Sequence, residues 1–261
     1  MRTAVLISGG LDSAVLLAEE AARPGPGGPG DNIFVQPIYV SVGLAWEAAE
    51  QAALRQLLAT EPLDSRARPL VSLSVDMRDV YEAGHWAIEG KPPHYDTPDE
   101  DVYLPGRNVI LLGKAAVYCA AARIERLVLG TLAHNPFPDA TPAFRSAMAK
   151  ALSLGLAHPL TIDAPYADAG KAEVIRRGTA LGVPLRLTLS CMNPSRRVRE
   201  VQKVRVVGEV REPLEPLEPL EPLEPLFVHC GVCSKCRERH DAFVEAGMAD
   251  PTDYAVREYT S

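Results

Sequence analysis

The amino-acid sequence predicts an α/β fold: a doubly wound, mostly parallel sheet with a small cysteine-rich segment at its C-terminal side. Three observations carry this. Short apolar runs alternate with helical patterns of ten or more residues along most of the 261-residue chain. The first such run ends in a Ser-Gly-Gly turn that opens directly into a helix, and three cysteines crowd together near residue 230.

Taken in order, residues 3–7 (TAVLI) form the first predicted strand, and Asp12 to Ala22 carry helical spacing. IFVQPIYV (33–40) precedes the helical WEAAEQAALRQLLA, and LVSLSVD (70–76) gives a third strand. NVILLGKAAVYCAAAR (108–123) reads as a long apolar helix, followed by the strand-like RLVLGT (126–131). A helix near 143–155, a short run at 158–162 and a helix over 170–182 complete the alternation. In such sheets ligands bind beyond the carboxyl ends of the strands, so the loops after residues 7, 40, 76 and 131 are the candidate functional positions.

Composition narrows the function classes. With 47% hydrophobic and 23% charged residues, the chain is neither a disulfide mini-protein nor collagen-like nor wholly disordered. No run approaches the roughly 18 apolar residues of a membrane span, and the N-terminus lacks the pattern of a secretory signal, so a soluble, cytoplasmic protein is expected. In a reducing compartment the five cysteines point to metal or chemistry rather than disulfides. The formal charge of -7 argues against bulk nucleic-acid binding, and five of the carboxylates sit in one repeat, which leaves the remaining chain nearly neutral.

Two stretches break the pattern. ARPGPGGPG (22–30) reads as a connector, and residues 212–226 are five tandem copies of Glu-Pro-Leu. A proline at every third position forbids helix and ladder pairing and favours polyproline II at about 3.1 Å per residue, a reach of about 45 Å. The repeat reads as a tolerated surface insertion or as a docking strip for a partner. The expected organisation is an α/β domain over 1–190, a cysteine-rich segment over 191–247 containing that insertion, and a tail over 248–261.

The segment Ser8-Gly9-Gly10-Leu11-Asp12-Ser13 lies at the first strand-to-helix junction. Two glycines let consecutive N–H groups turn toward an anion, the helix N-terminus adds partial positive charge, and the hydroxyls of Ser8 and Ser13 add donors. Asp12 reads as an N-cap or as a magnesium ligand. A capped turn without a ligand would use some of the same residues, but the six-residue string matches the SGGxDS signature. The chain therefore resembles the PP-loop ATP pyrophosphatases, whose fold is the adenine nucleotide alpha hydrolase-like one and which cleave ATP between the α and β phosphates.

Cys230, Cys233 and Cys236 form C-x-x-C-x-x-C, a spacing that closes thiolates around one ion. Zinc needs a fourth ligand. Cys191 is the best placed, at the end of a predicted segment, while His229 and His240 flank the cluster as substitutes, and Cys119 falls inside an apolar helix as a core residue. An iron-sulfur cluster is the competing reading.

Further segments narrow the resemblance. LPGRN (104–108), the strand and loop RLVLGTLAHNPFPDATPAF (126–144), HPLTIDAPYADAGKAEVI, and Ser190-Cys191 followed by Cys230 through Phe243 resemble, in the same order, segments of the 7-cyano-7-deazaguanine synthase family. The resemblance implies an ATP-dependent ligase that converts 7-carboxy-7-deazaguanine and ammonia to the nitrile through adenylated intermediates, with Mg2+ at the phosphates and structural Zn2+. It assigns ATP phosphates to Ser8 through Ser13, with Asp12, Ser13 and Lys171 catalytic. Arg107 and Asn108 lie near the nucleotide and Asp139 on the substrate. Other readings stand beside these: a turn entering a helix for Arg107 and Asn108, a solvated lysine for Lys171, a turn-organising Asp139. Small molecules are the expected partners, with a homodimer as one option.

Two departures touch the base-binding loops. The family's YGQrH stretch reads YVSVGLAWEAAE here, and its YPDCR reads Phe137-Pro138-Asp139-Ala140-Thr141, without the Cys and the Arg. The spacing from Cys191 to Cys230 is also widened, to 38 intervening residues. Competing functions are another PP-loop enzyme, such as a tRNA thiolase or an amidotransferase, and a nucleotide-binding protein without turnover.

Overall fold

The structure, a computed structural model, describes residues 2–24, 34–82, 84–133, 135–197 and 224–258. Most of the Pro/Gly connector and residues 212–223 of the Glu-Pro-Leu repeat, with the polyproline II reading made for them, lie outside the described residues.

Strand β1 (Thr3–Leu6) leads into helix α1 (Leu11–Ala22), then β2 (Val35–Ser41), α2 (Glu47–Leu58), the short α3 (Leu63–Arg66) and β3 (Val71–Ser74). A one-turn helix α4 (Trp86–Glu89) and a 3-10 turn at Asp99–Val102 precede the long α5 (Arg107–Ala122) and β4 (Arg126–Val128). Helix α6 (Pro142–Gly155), β5 (Thr161–Asp163) and α7 (Lys171–Ala180) follow. The two-residue strands β6 (Ser195–Arg196) and β7 (Phe227–Val228) pair antiparallel, and α8 (Ser234–Ala246) closes the chain's regular structure.

The five main strands run parallel in the order β3-β2-β1-β4-β5. Successive strand residues point to opposite faces, and here both faces are apolar. Val5, Val35 and Val128 enter a core with α1, α2 and α7, whereas Ala4, Ile38 and Leu127 enter a second core with α5. This double cover explains why the inner strands β1, β2 and β4 are buried almost throughout, whereas the edge strand β3 alternates. Cys119 lies fully buried in the second core, as its helical position predicts.

The order has a functional consequence. The chain winds outward from β1 through β2 and β3, then returns to the other side of β1 with β4, so loops leaving β1 and β4 diverge at their carboxyl ends and leave a crevice. The α1 N-terminus and the loop after β4 both open onto it.

Candidate active site and metal centre

A cleft of about 400 Å³ occupies that switch point, floored by Ser8, Gly10, Asp12 and Ser13 and bounded by Gly130 and Thr131 after β4. The loop is self-braced. Gly10 N–H donates to Ser8 Oγ at 3.2 Å, Ser8 N–H to Ser13 Oγ at 3.3 Å, and the Ser13 hydroxyl to the Gly10 carbonyl at 3.0 Å. Gly9 has φ of +85°, and a Cβ there would meet Leu54 Cβ at 3.2 Å, so both conformation and space call for glycine. Leu189 N–H donates to the Gly9 carbonyl at 2.8 Å, fixing the loop to the segment that carries Cys191. Gly10 is the helix N-cap, and Asp12 sits in the first turn rather than at the cap.

Lys171 opens α7 and crosses to the loop, with Nζ 3.2 Å from Asp12 Oδ2. It is not a solvated helix lysine: its side chain is 11% exposed and also binds Glu238 Oε1 at 2.5 Å. The second oxygen of Glu238 accepts from Lys235 at 2.6 Å. Burial, the strongest influence on Lys171, works against its charge, but the Asp12 and Glu238 carboxylates outweigh it and hold its pKa above the ordinary lysine value. Burial likewise pushes Glu238 up, but Lys171 and Lys235 bring it down to about 2. For Asp12 burial wins over Lys171, and its carboxyl titrates above the usual range. Asp12 Oδ1 is buried with no hydrogen-bond partner, an acceptor left open beside the phosphate loop.

Asp139 is buried, and its carboxylate accepts the Asn108 backbone N–H at 3.1 Å and the Asn108 side-chain amide at 3.3 Å. It thereby satisfies the first turn of α5, and both residues line the cleft. Arg107 lines it too, with its Nε buried and unpartnered. Stacked aromatics form the walls: Trp46 on Trp86 with centroids 5.7 Å apart, and Tyr103 on Phe137 at 5.0 Å. In the stretch replacing YGQrH, Glu47 takes over loop bracing by accepting from the N–H groups of Val42 and Gly43 at 2.8 and 3.1 Å. Glu50, one turn on, is buried against Tyr39, whose hydroxyl donates to it at 3.0 Å. Burial pushes its carboxyl up to about 7 against the lowering pull of Arg107 and Tyr39.

The four cysteines converge. The sulfurs of Cys191, Cys230, Cys233 and Cys236 all lie within 4.8 Å of one another and all four residues are buried. Backbone N–H groups of Cys230 and Asn193 donate to Cys191 Sγ at 3.2 and 3.3 Å, as suits sulfur carrying negative charge. Gly231 has φ of +80°, and a Cβ there would lie 1.9 Å from the Val256 carbonyl oxygen. The flanking histidines stand outside the cluster. His229 Nε2 accepts the Ser190 N–H at 3.2 Å, with burial holding the ring neutral, and His240 faces Asp250 at 3.7 Å.

Sequence reasoning missed Lys235, Glu238, Glu50, Trp46 and Trp86. An i, i+3 charge pair reads as a solvated helix face, and a glutamate in an amphipathic helix reads as exposed. Only the docking of α8 on α7, or of α2 beside the loop, turns these groups inward.

A parallel sheet with this phosphate loop at its switch point and a four-cysteine cluster behind it defines a PP-loop nucleotide-binding α/β protein. The family model described as "Queuosine biosynthesis protein QueC" matches residues 83–205. The 7-cyano-7-deazaguanine synthase of Azoarcus sp. is 30% identical, over 98% of this chain and 98% of its own length. The synthase of Methanopyrus kandleri is 29% identical over 97% of this chain and 98% of its own. That of Anaeromyxobacter dehalogenans is 28% identical over 97% and 96%. The chain belongs to the 7-cyano-7-deazaguanine synthase (QueC) family. No helix among the described residues is long and apolar enough to cross a membrane.

Proposed function

We propose that the protein makes 7-cyano-7-deazaguanine, a queuosine precursor, from 7-carboxy-7-deazaguanine, ammonia and ATP. The observation that carries this is the convergence, in one cleft, of the braced Ser8–Ser13 loop, the Lys171–Asp12 pair and two aromatic walls.

A carboxylate is a poor electrophile, and transferring AMP to it supplies a leaving group. The substrate carboxylate oxygen attacks the α-phosphorus of ATP, the bond to the bridging oxygen breaks, and pyrophosphate departs with the electron pair. Ammonia then attacks the acyl carbon, gives up one proton to solvent, and AMP leaves with the electron pair of the broken C–O bond, giving the amide. In the second round the amide oxygen attacks the α-phosphorus of another ATP, pyrophosphate departs, and loss of AMP together with both N–H protons of the amide nitrogen leaves the nitrile. The backbone N–H groups at the start of α1 and the Lys171 ammonium face the charge that grows on phosphate. Arg107 and Asn108 hold the nucleotide end of the cleft, and the stacked pairs present flat apolar faces to the deazaguanine ring. Asp139 fixes Asn108 and itself lines the cleft, where it is proposed to meet an N–H of the substrate.

Asp12, with its open carboxylate oxygen, suits a ligand of Mg2+, a hard cation that would neutralise phosphate charge. For the cysteine cluster we propose Zn2+. A tetrahedral ion with metal–sulfur bonds of about 2.3 Å sets sulfurs about 3.8 Å apart, close to the 3.5 and 3.8 Å separations of Cys236 from Cys233 and Cys230. An iron-sulfur cluster, whose thiolates attach to separate irons, needs a wider cage. The cysteines, all unpaired among the described residues, support a reducing, cytoplasmic setting.

Incubation of the protein with 7-carboxy-7-deazaguanine, ammonium, ATP and Mg2+, followed by mass detection of the nitrile, tests the reading. The expected result is the nitrile with AMP and pyrophosphate; ATP binding without product would reject it.

A further inference from the structure

The helix that follows the metal cluster delivers a further cation to the cleft. α8 has Cys233 as its N-cap and carries Cys236 in its first turn, so the cluster fixes its start. Lys235 lies between those two cysteines, and Glu238 is one turn further on. Both line the same cleft as Ser8, Asp12 and Lys171.

An ordinary i, i+3 pair on a helix surface would be solvated and nearly inert. This one is different in geometry. The Lys235 side chain is only 28% exposed and that of Glu238 24%. The Glu238 carboxylate is shared, one oxygen to Lys235 at 2.6 Å and the other to Lys171 at 2.5 Å, so it spaces two ammonium groups along the cleft floor. Two carboxylates, Asp12 and Glu238, balance the two lysines in the free protein. A polyphosphate arriving on the loop brings more negative charge than that balance holds, and both ammonium groups have a stronger partner to turn to.

We infer that Lys235 is a second polyphosphate-binding residue, acting beside Lys171 on the pyrophosphate portion of ATP and supplied to the site by the metal-anchored helix. The inference rests on the proposed assignment of ATP phosphates to the Ser8–Ser13 loop. As the bond between the α-phosphorus and its bridging oxygen breaks, the electron pair goes to pyrophosphate, and Lys235 meets that charge without moving a proton. Glu238 is the positioning residue that holds the ammonium in reach.

The test is calorimetric titration of the full-length, metal-loaded protein with ATP, inorganic pyrophosphate and AMP in turn. Lys235→Met keeps the aliphatic stem and removes the charge. It is expected to weaken ATP and pyrophosphate about tenfold, the order of one charge-assisted contact at a partly exposed site. AMP binding and metal content are expected to stay at the wild-type level, and Lys235→Arg to restore most of the affinity. Lys235→Met binding pyrophosphate as tightly as wild type, or losing AMP to the same degree as pyrophosphate, overturns the inference alone. A wild-type protein that binds neither ATP nor pyrophosphate overturns the phosphate assignment and this inference with it.

Discussion

The Lys171 ammonium lies 3.2 Å from the Asp12 carboxylate, joining the start of α7 to the first turn of α1 across the floor of the cleft. Those helices pack along the same face of the sheet, and α8 packs in turn on α7. The pair is therefore held from two sides, by the phosphate loop and, through Glu238, by the helix that begins at the cysteine cluster. The Ser8–Ser13 loop and the helix that follows the cysteine cluster are thus joined at one ammonium group.

Removing either partner separates chemistry from stability. Asp12→Ala is expected to abolish nitrile formation. Lys171→Met should leave the Asp12 carboxylate without its nearest cation; breaking a fully buried pair costs about 3 to 5 kcal/mol, and the partial exposure of Asp12 brings the expected loss to about 2 kcal/mol. Without Lys171 the Asp12 carboxyl titrates higher still, so the loss should shrink as acid protonates it and grow toward pH 8. Urea unfolding of the variant at pH 5 and pH 8 reads this; equal losses at both would refute the pair's electrostatic role.

Glu50 gives a pH signature of its own. Its carboxyl binds a proton more tightly in the folded protein, at about 7, than at the ordinary value of about 4.5. Unfolding between those values releases a proton, so this group's contribution is most favourable below about pH 4.5, declines as pH rises to about 7, and is flat above. Glu50→Gln removes the decline. Relative to wild type the variant should gain about 3 kcal/mol of stability between pH 4.5 and pH 8. Matched unfolding curves at those two pH values would show it, and parallel pH dependence of the two proteins would sink it.

What was legible in the sequence follows from range. The six residues Ser8 to Ser13 and the C-x-x-C-x-x-C run are local, and their chemistry depends on neighbours a few positions away, so spacing alone reveals them. The inner strands β1, β2 and β4 were legible because both sheet faces are covered there, which leaves each of them buried almost throughout, whereas the edge strand β3 alternates between half-buried and exposed residues. Cys191 was found from its place at the end of a segment, although it meets Cys230 only in three dimensions. Asp139 was equally readable as a substrate contact or a turn organiser, because its hold on Asn108 joins loops from different strands. Lys235 and Glu238 gave no signal, since nothing local says that α8 turns that face toward α7. The short α3, α4 and β6–β7 pair were missed because elements of two to four residues have too few positions to establish a period.

Metal removal should be felt at the phosphates. Cys191→Ser breaks the cluster without touching the loop, and loss of a structural metal is expected to lower the melting temperature by at least about 10 °C. ATP affinity should fall along with metal content, because α8 loses the anchor that presents Lys235 and Glu238. Metal analysis and nucleotide titration on one preparation check both. Full ATP affinity in a metal-free variant would uncouple the two sites.

The last copy of the repeat, Glu224 to Leu226, packs against the body of the protein. Gln56 on α2 donates its amide to the Glu224 carbonyl at 2.6 Å and accepts the Leu226 N–H at 3.1 Å. Arg197 N–H donates to the Leu226 carbonyl at 2.9 Å, its guanidinium reaches the Pro225 carbonyl at 3.1 Å, and it pairs with Asp253. The last Glu-Pro-Leu copy thus belongs to the folded body and sets up β7, which leads within two residues to Cys230. Deleting 212–223 should leave metal content and melting temperature near wild type. Deleting 212–226 removes the contacts to Gln56 and Arg197; at about 1 kcal/mol per hydrogen bond, it should destabilise the protein by a few kcal/mol and lower metal occupancy. Thermal melts and metal stoichiometry of the two deletions decide it, and identical behaviour would show that the final copy is as dispensable as the others.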